Sequence, residues 1–176
     1  WENIARNNID KFSSIDRVSF YRVDSMTLTP DDLNFENPLK FLHIDGSHEH
    51  KAVLRDLENF SSKMHDRGVI VIDDFNASEF PGVRGGLFEF LFKNPDWVIF
   101  AIGHNKAYVC RKEHHNYYVL SVLDTLSAIK ATNNVPYNFN LREVNDHNVL
   151  LVASRGTQTA EFIRENLNNT LSYTST

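Results

Sequence analysis

Apolar residues at Trp1, Ile4, Ala5, Ile9 and Phe12 recur at spacings of three and four, which predicts a helix over residues 1–12. Arg17–Asp24 predicts a strand, with Val18, Phe20 and Val23 as its apolar members, and the polar connector TLTPDDLNFENP leads to a short strand, KFLHIDG. From Glu49 to Met64 the pattern is an amphipathic helix. Val53, Leu57, Phe60 and Met64 form one stripe, and Ser47 is placed to cap its start. After Gly68, four β-branched residues, Val69–Ile72, run without polar alternation, as in a central strand buried on both faces. A Pro81-Gly82 turn and a helix over Val83–Lys93 follow. Strands then begin at Trp97 and Ala107, joined by a hairpin turn at Gly103–Lys106.

Residues 1–112 thus alternate helices and strands. This predicts an α/β fold with right-handed crossovers, a mainly parallel sheet and one closing antiparallel hairpin. Beyond residue 112 the pattern predicts a helix over Tyr117–Ala131, strands at LREV and NVLLVAS, and a helix over Thr157–Leu167. These residues, 113–176, read as a C-terminal extension or the start of another α/β unit.

The length of 176 residues and 41% hydrophobic content suit a domain with a real core. Eighteen basic and 23 acidic residues give a net charge of −5, with no long basic tract, which argues against nucleic acid or an anionic membrane as partner. A single cysteine, Cys110, excludes an internal disulfide framework and a cysteine-rich zinc site and fits a reducing compartment, so a cytoplasmic location is expected. No apolar run approaches the roughly 20 residues that span a bilayer. The polar start WENIARNNID has neither a signal-peptide pattern nor an initiator methionine, so the chain is expected to begin inside a longer protein.

Open α/β sheets bind ligands beyond the carboxyl ends of their strands. Asp45 ends one predicted strand and Asp73-Asp74 end another, separated by one strand–helix–strand crossover. Three converging carboxylates repel one another unless protons or a cation intervene, and an all-oxygen set favours magnesium over calcium or manganese. The alternative is that Asp45 and Asp74 only cap turns. His48, at the mouth of the following helix, is placed to take a proton from a substrate hydroxyl, or else is a polar residue at a helix start. His43, inside a strand, reads as structural. The segment Gly82–Gly86 lacks the strand and lysine of a phosphate-binding loop.

The stretch from Phe41 to Val83 resembles the class I S-adenosylmethionine-dependent methyltransferases. It looks most like the subgroup related to macrocin and mycinamicin sugar O-methyltransferases and the cephalosporin-hydroxylase-associated proteins. The shared motifs are Ile44-Asp45-Gly46-Ser47-His48, Val53-Leu54-Arg55-Asp56-Leu57, Gly68 through Asp73-Asp74, and Pro81-Gly82-Val83. Arg67 stands where the first glycine of a pair is usual. The resemblance implies a Rossmann-like three-layer sandwich and S-adenosylmethionine as methyl donor. It further implies magnesium on Asp45, Asp73 and Asp74, His48 as general base, and Asp24 and Ser25 against the adenine. The acceptor would be a hydroxyl of a small molecule or sugar.

The family's opening strand and glycine-rich loop do not precede Trp1. Residues 1–112 therefore look like the C-terminal two-thirds of a truncated methyltransferase domain, expected to be inactive in isolation. NVLLVASRGTQTAEFIRENL either fills the vacant strand position, with Ser154–Thr157 near the cofactor, or belongs to the extension. Two other readings stay open. One is a metal-dependent glycosyltransferase holding a nucleotide sugar through manganese on Asp73-Asp74. The other is a non-catalytic, methyltransferase-like scaffold module that forms a homo-oligomer.

Overall fold

Every residue from Trp97 to Ala101 is buried, because this strand lies in a sheet covered on both faces. Trp97 and Ile99 join one core, built with Val53 and Leu57 of one helix and Leu87 and Phe90 of the next. Val98 and Phe100 point the other way, into a core with Val119, Leu123, Ile163 and Leu167. The computed structural model describes residues 2–11, 18–32, 35–133, 138–153 and 158–173. Its elements are α1 (Glu2–Asp10), β1 (Leu39–Ile44), α2 (His50–Ser61), β2 (Met64–Ile72), α3 (Pro81–Lys93), β3 (Trp97–Gly103), β4 (Lys106–Arg111), α4 (His115–Asn133), β5 (Asn138–Val144), β6 (His147–Ala153) and α5 (Ala160–Tyr173). Helices α2 and α3 cover one face of the sheet, and α4 and α5 cover the other. This layering is consistent with a Rossmann-like methyltransferase fold.

The six strands lie in the order β1-β2-β4-β3-β6-β5. The sheet is mixed rather than mainly parallel, which corrects the expectation from element order. Among the described residues β1–β2 and β3–β6 pair in parallel, whereas β2–β4, β3–β4 and β5–β6 are antiparallel. The cause is local. Two hairpins close through two-residue turns with positive φ at both positions, His104 (51°) and Asn105 (64°) in one, Asn145 (49°) and Asp146 (61°) in the other. Such turns match the right-handed strand twist and enforce antiparallel neighbours. Strand β4 then inserts between β2 and β3, so one hairpin accounts for two antiparallel pairings.

Other boundaries shift for physical reasons. Helix α2 ends at Ser61, and Met64 starts β2 opposite Leu39 instead of extending the helical stripe. Glu49, not Ser47, occupies the N-cap position, and Ser47 Oγ accepts a long hydrogen bond, 3.4 Å, from the Glu49 amide. The expected strand over Arg17–Asp24 is not formed by its described part, residues 18–24. There Tyr21 is 82% exposed and Val23 53%, so this stretch brings little to the core. Strand β6 pairs with β3, so the C-terminal strand does not fill a position beside β1, and Ser154–Thr157 lie outside the described residues. Residues 138–153 instead complete the same sheet. Among the described residues no helix is long and apolar enough to cross a membrane.

Candidate active site at the carboxyl end of β1 and β2

Parallel pairing puts Ile44 opposite Ile72, and the Asp73 amide donates to the Ile44 carbonyl at 3.0 Å. The residues that follow, Asp45 and Asp73-Asp74, therefore emerge side by side, as the sequence predicts. Antiparallel pairing of Ile72 with Ala107 brings the β3–β4 turn to the same end.

The carboxylates are not left facing one another. Asp73 Oδ2 accepts from Lys106 Nζ and lies 3.1 Å from His43 Nε2, and its Oδ1 accepts from the Asp74 amide at 2.9 Å. The Lys106 ammonium holds the Asp73 carboxyl below the usual carboxylate range, and Asp73 in return raises Lys106, with the charge of Asp45 adding to the effect. Asp74 has φ of 53°, a left-handed conformation that aspartate tolerates better than most residues. Its Oδ1 accepts from Asn105 Nδ2 at 2.7 Å, and its Oδ2 lies 2.9 Å from His48 Nε2. Two trios bring ligand atoms within 4.8 Å of one another: His43, Asp45 and Asp73, and Asp45, His48 and Asp74. Asp45 is common to both, and the acidic pair is divided between them.

His48 is held on two sides. Its ring stacks on Phe80 with centroids 3.8 Å apart and planes at 11°. An ionised carboxylate only accepts, so the Asp74 contact places the imidazole proton on Nε2 and leaves Nδ1 as the acceptor of the neutral ring. The backbone supports this loop closely. A Cβ on Gly82, in the first turn of α3, would lie 2.4 Å from the His48 carbonyl oxygen and 2.7 Å from the His50 amide. Only glycine lets α3 approach there.

Asp24 and Ser25 lie on the flank of α2. Asp24 Oδ1 accepts from the Met26 amide at 3.0 Å and starts a single 3₁₀ turn over Ser25–Thr27. Arg55 donates to the Leu28 carbonyl at 2.7 Å, and Asn59 Nδ2 donates to the Leu28 and Ser25 carbonyls at 3.1 and 3.4 Å. Asp56 links this turn to the β1–α2 loop. It lies beside the Ser25 side chain, and its Oδ2 would sit 3.5 Å from a Cβ added to Gly46. Burial pushes the Asp56 carboxyl up, against the lowering effect of Ser25. The turn bearing Asp24 and Ser25 is thereby fastened next to the acidic end of β1.

Asn105 and Lys106 are the functional candidates that sequence reasoning missed. It saw them as a hairpin turn, and the missing signal is strand order: nothing local says that β4 neighbours β2. His43, read as structural, bonds Asp73. A cavity of about 650 Å³, lined by Trp97 and Val144–His147 at the opposite end of the sheet, takes no part in this cluster.

Residues 1–75 match the family model described as a methyltransferase domain. The matched span contains α1, the Asp24-Ser25 turn, β1, α2, β2 and the acidic pair, so it ends just past Asp74, the carboxylate that pairs with His48. The match supports a methyltransferase domain in this part of the chain, and with it a transferase. No curated protein matches.

Proposed function

We propose that the site transfers a methyl group from S-adenosylmethionine to a hydroxyl of a small molecule or sugar. The observation that carries this reading is the His48–Asp74 pair. It is one imidazole, fixed by a stacked ring and a carboxylate, with one nitrogen left to accept a proton. When bound, S-adenosylmethionine supplies an electrophilic methyl group on a sulfonium, and Asp24 and Ser25 are the residues that would contact its adenine. His48 Nδ1 takes the acceptor's hydroxyl proton, Asp74 stabilises the resulting imidazolium, and Phe80 keeps the ring from turning away. The acceptor oxygen would bond the methyl carbon as its bond to sulfur breaks, S-adenosylhomocysteine would leave, and the proton passes from His48 to solvent.

Magnesium on Asp45, Asp73 and Asp74 does not fit the residues present. Each ligand trio contains an imidazole and only one of the acidic pair, whereas magnesium requires oxygen donors in near-octahedral array. Both oxygens of Asp73 and of Asp74 already face hydrogen-bond partners. The same saturation weighs against a manganese-bound nucleotide sugar.

Calorimetric titration with S-adenosylhomocysteine, of this chain preceded by the family's opening strand and glycine-rich loop, tests the reading. Binding is expected, and its absence overturns the proposal. His48→Ala should keep that binding while lowering methyl transfer by roughly 10²–10⁴, the range of a lost general base.

A further inference from the structure

The charge that a divalent ion would neutralise is met by two adjacent residues of the β3–β4 turn. Lys106 Nζ donates to Asp73, and Asn105 Nδ2 donates to Asp74 at 2.7 Å. The turn is locked in this place from the other direction as well. The Phe75 amide donates to the Asn105 carbonyl at 2.9 Å, and the Asn76 amide donates to Asn105 Oδ1 at 3.0 Å. Asn105 therefore uses its carbonyl and both side-chain heteroatoms on the loop that carries the acidic pair. Lys106 is not a loose surface charge, since its side chain is 28% exposed and that of Asp73 18%.

We propose that the Asn105-Lys106 turn takes the place of the divalent cation: the ammonium neutralises Asp73, and the amide turns Asp74 toward His48. Asn105 and Lys106 are positioning residues that act through the acidic pair. The catalytic meaning of this arrangement rests on the function proposed above, whereas the occupancy of the carboxylates does not. Two neighbouring carboxylates need a counter-charge to stay ionised together. A fixed ammonium gives one positive charge and a neutral amide gives a directed donor, where a divalent ion would give two charges and demand a full shell of oxygen ligands. An entering cation has to displace Lys106 from Asp73, and a hydrogen bond between charged partners is costly to break.

Manganese(II) alone is the probe, with the free ion followed by electron paramagnetic resonance during titration into the full chain. The unsubstituted protein should bind weakly. Lys106→Met should bind roughly tenfold tighter or more, the factor expected when one charge-assisted hydrogen bond no longer competes. Lys106→Arg should stay weak, and adding Asp73→Asn to Lys106→Met should abolish the gain. Thermal melts of all four proteins confirm folding, and Lys106→Gln serves if the methionine variant fails to fold. Tight manganese binding with Lys106 in place overturns the proposal, and so does no gain on its removal.

The part played by Asn105 is read separately in metal-free buffer. Asn105→Gly tolerates the left-handed backbone and removes the side-chain amide, both the donor to Asp74 and the acceptor of the Asn76 amide. The ¹⁵N signals of His48 should move from the Nε2-protonated form toward a mixture of tautomers, and unchanged signals overturn that part. Neither measurement involves S-adenosylhomocysteine, so a failure of cofactor binding and a failure of the cation replacement are told apart.

Discussion

Asp73 and Lys106 form an ion pair whose two members are shifted in opposite directions, and the shifts fix its pH window. The hydrogen bond from Lys106 lowers Asp73 below its ordinary value of 3.8. Its contribution to stability is therefore complete above that value and is lost as pH falls through the lower, folded one. Lys106 is raised above 10.5, chiefly by its hydrogen bond to Asp73. That contribution is complete below 10.5 and is lost as pH rises through the higher, folded value. Urea midpoints measured across pH should fall off at both ends, and Lys106→Met should flatten both limbs. At the same scale the sequence was informative where chemistry depends on strand ends. The strand-end positions of Asp45, Asp73 and Asp74 were legible, because a carboxylate directly after a short strand pattern marks the carboxyl edge of a sheet. Which donor faces which acceptor was not legible. Lys106 reaches Asp73 only through a strand order that no local pattern encodes, whereas His43 reaches it across the β1–β2 pairing. Cys110 is fully buried, and burial pushes its thiol up to about 12.

The contact between α2 and α3 explains why Pro81-Gly82-Val83 reads as a motif. Added Cβ atoms would lie 2.8 Å from the His50 carbonyl at Gly86 and 2.4 Å from the His48 carbonyl at Gly82. At Gly85 the nearest atom, at 2.9 Å, is Nδ1 of the His50 side chain. Backbone cannot give way as a ring can. Gly82→Ala should therefore cost about 1–3 kcal/mol by overpacking, and Gly85→Ala less. Urea denaturation ranks the two. Gly82→Ala should also move the His48 resonances, while Gly85→Ala leaves them near their original positions. The helices and the hairpin at Gly103–Lys106 were readable from spacing and turn residues, whereas the hairpin at Asn145-Asp146 was not foreseen. The Arg17–Asp24 strand was misread because alternation alone does not supply a partner. The exposed Tyr21 and Val23 show a pattern without a core to meet it.

Across the molecule, β6 ties the C-terminal third to the rest. Val149 packs into the core under α2 and α3, and Leu150 into the core under α4 and α5, both at 0% exposure. A strand shared by two cores couples them. Leu150→Ala should cost about 2–5 kcal/mol. Denaturation followed by circular dichroism and by tryptophan fluorescence should give coincident curves, both displaced equally by the substitution. Separate transitions would mean that residues beyond 112 unfold on their own. From the sequence, NVLLVAS was correctly a strand, but its place was open, because a fully apolar strand fits any interior position of a sheet. The mixed strand directions likewise follow from where each hairpin inserts, a decision made by packing.

The reciprocal grip between Asn105 and the loop after β2 gives the molecule its own gauge. The amide protons of Phe75 and Asn76 both donate to Asn105. They can meet deuterated solvent only when that grip loosens, so their uptake of deuterium reports how often the acidic pair is released. Substrate, cofactor and knowledge of the acceptor are all unnecessary for that reading.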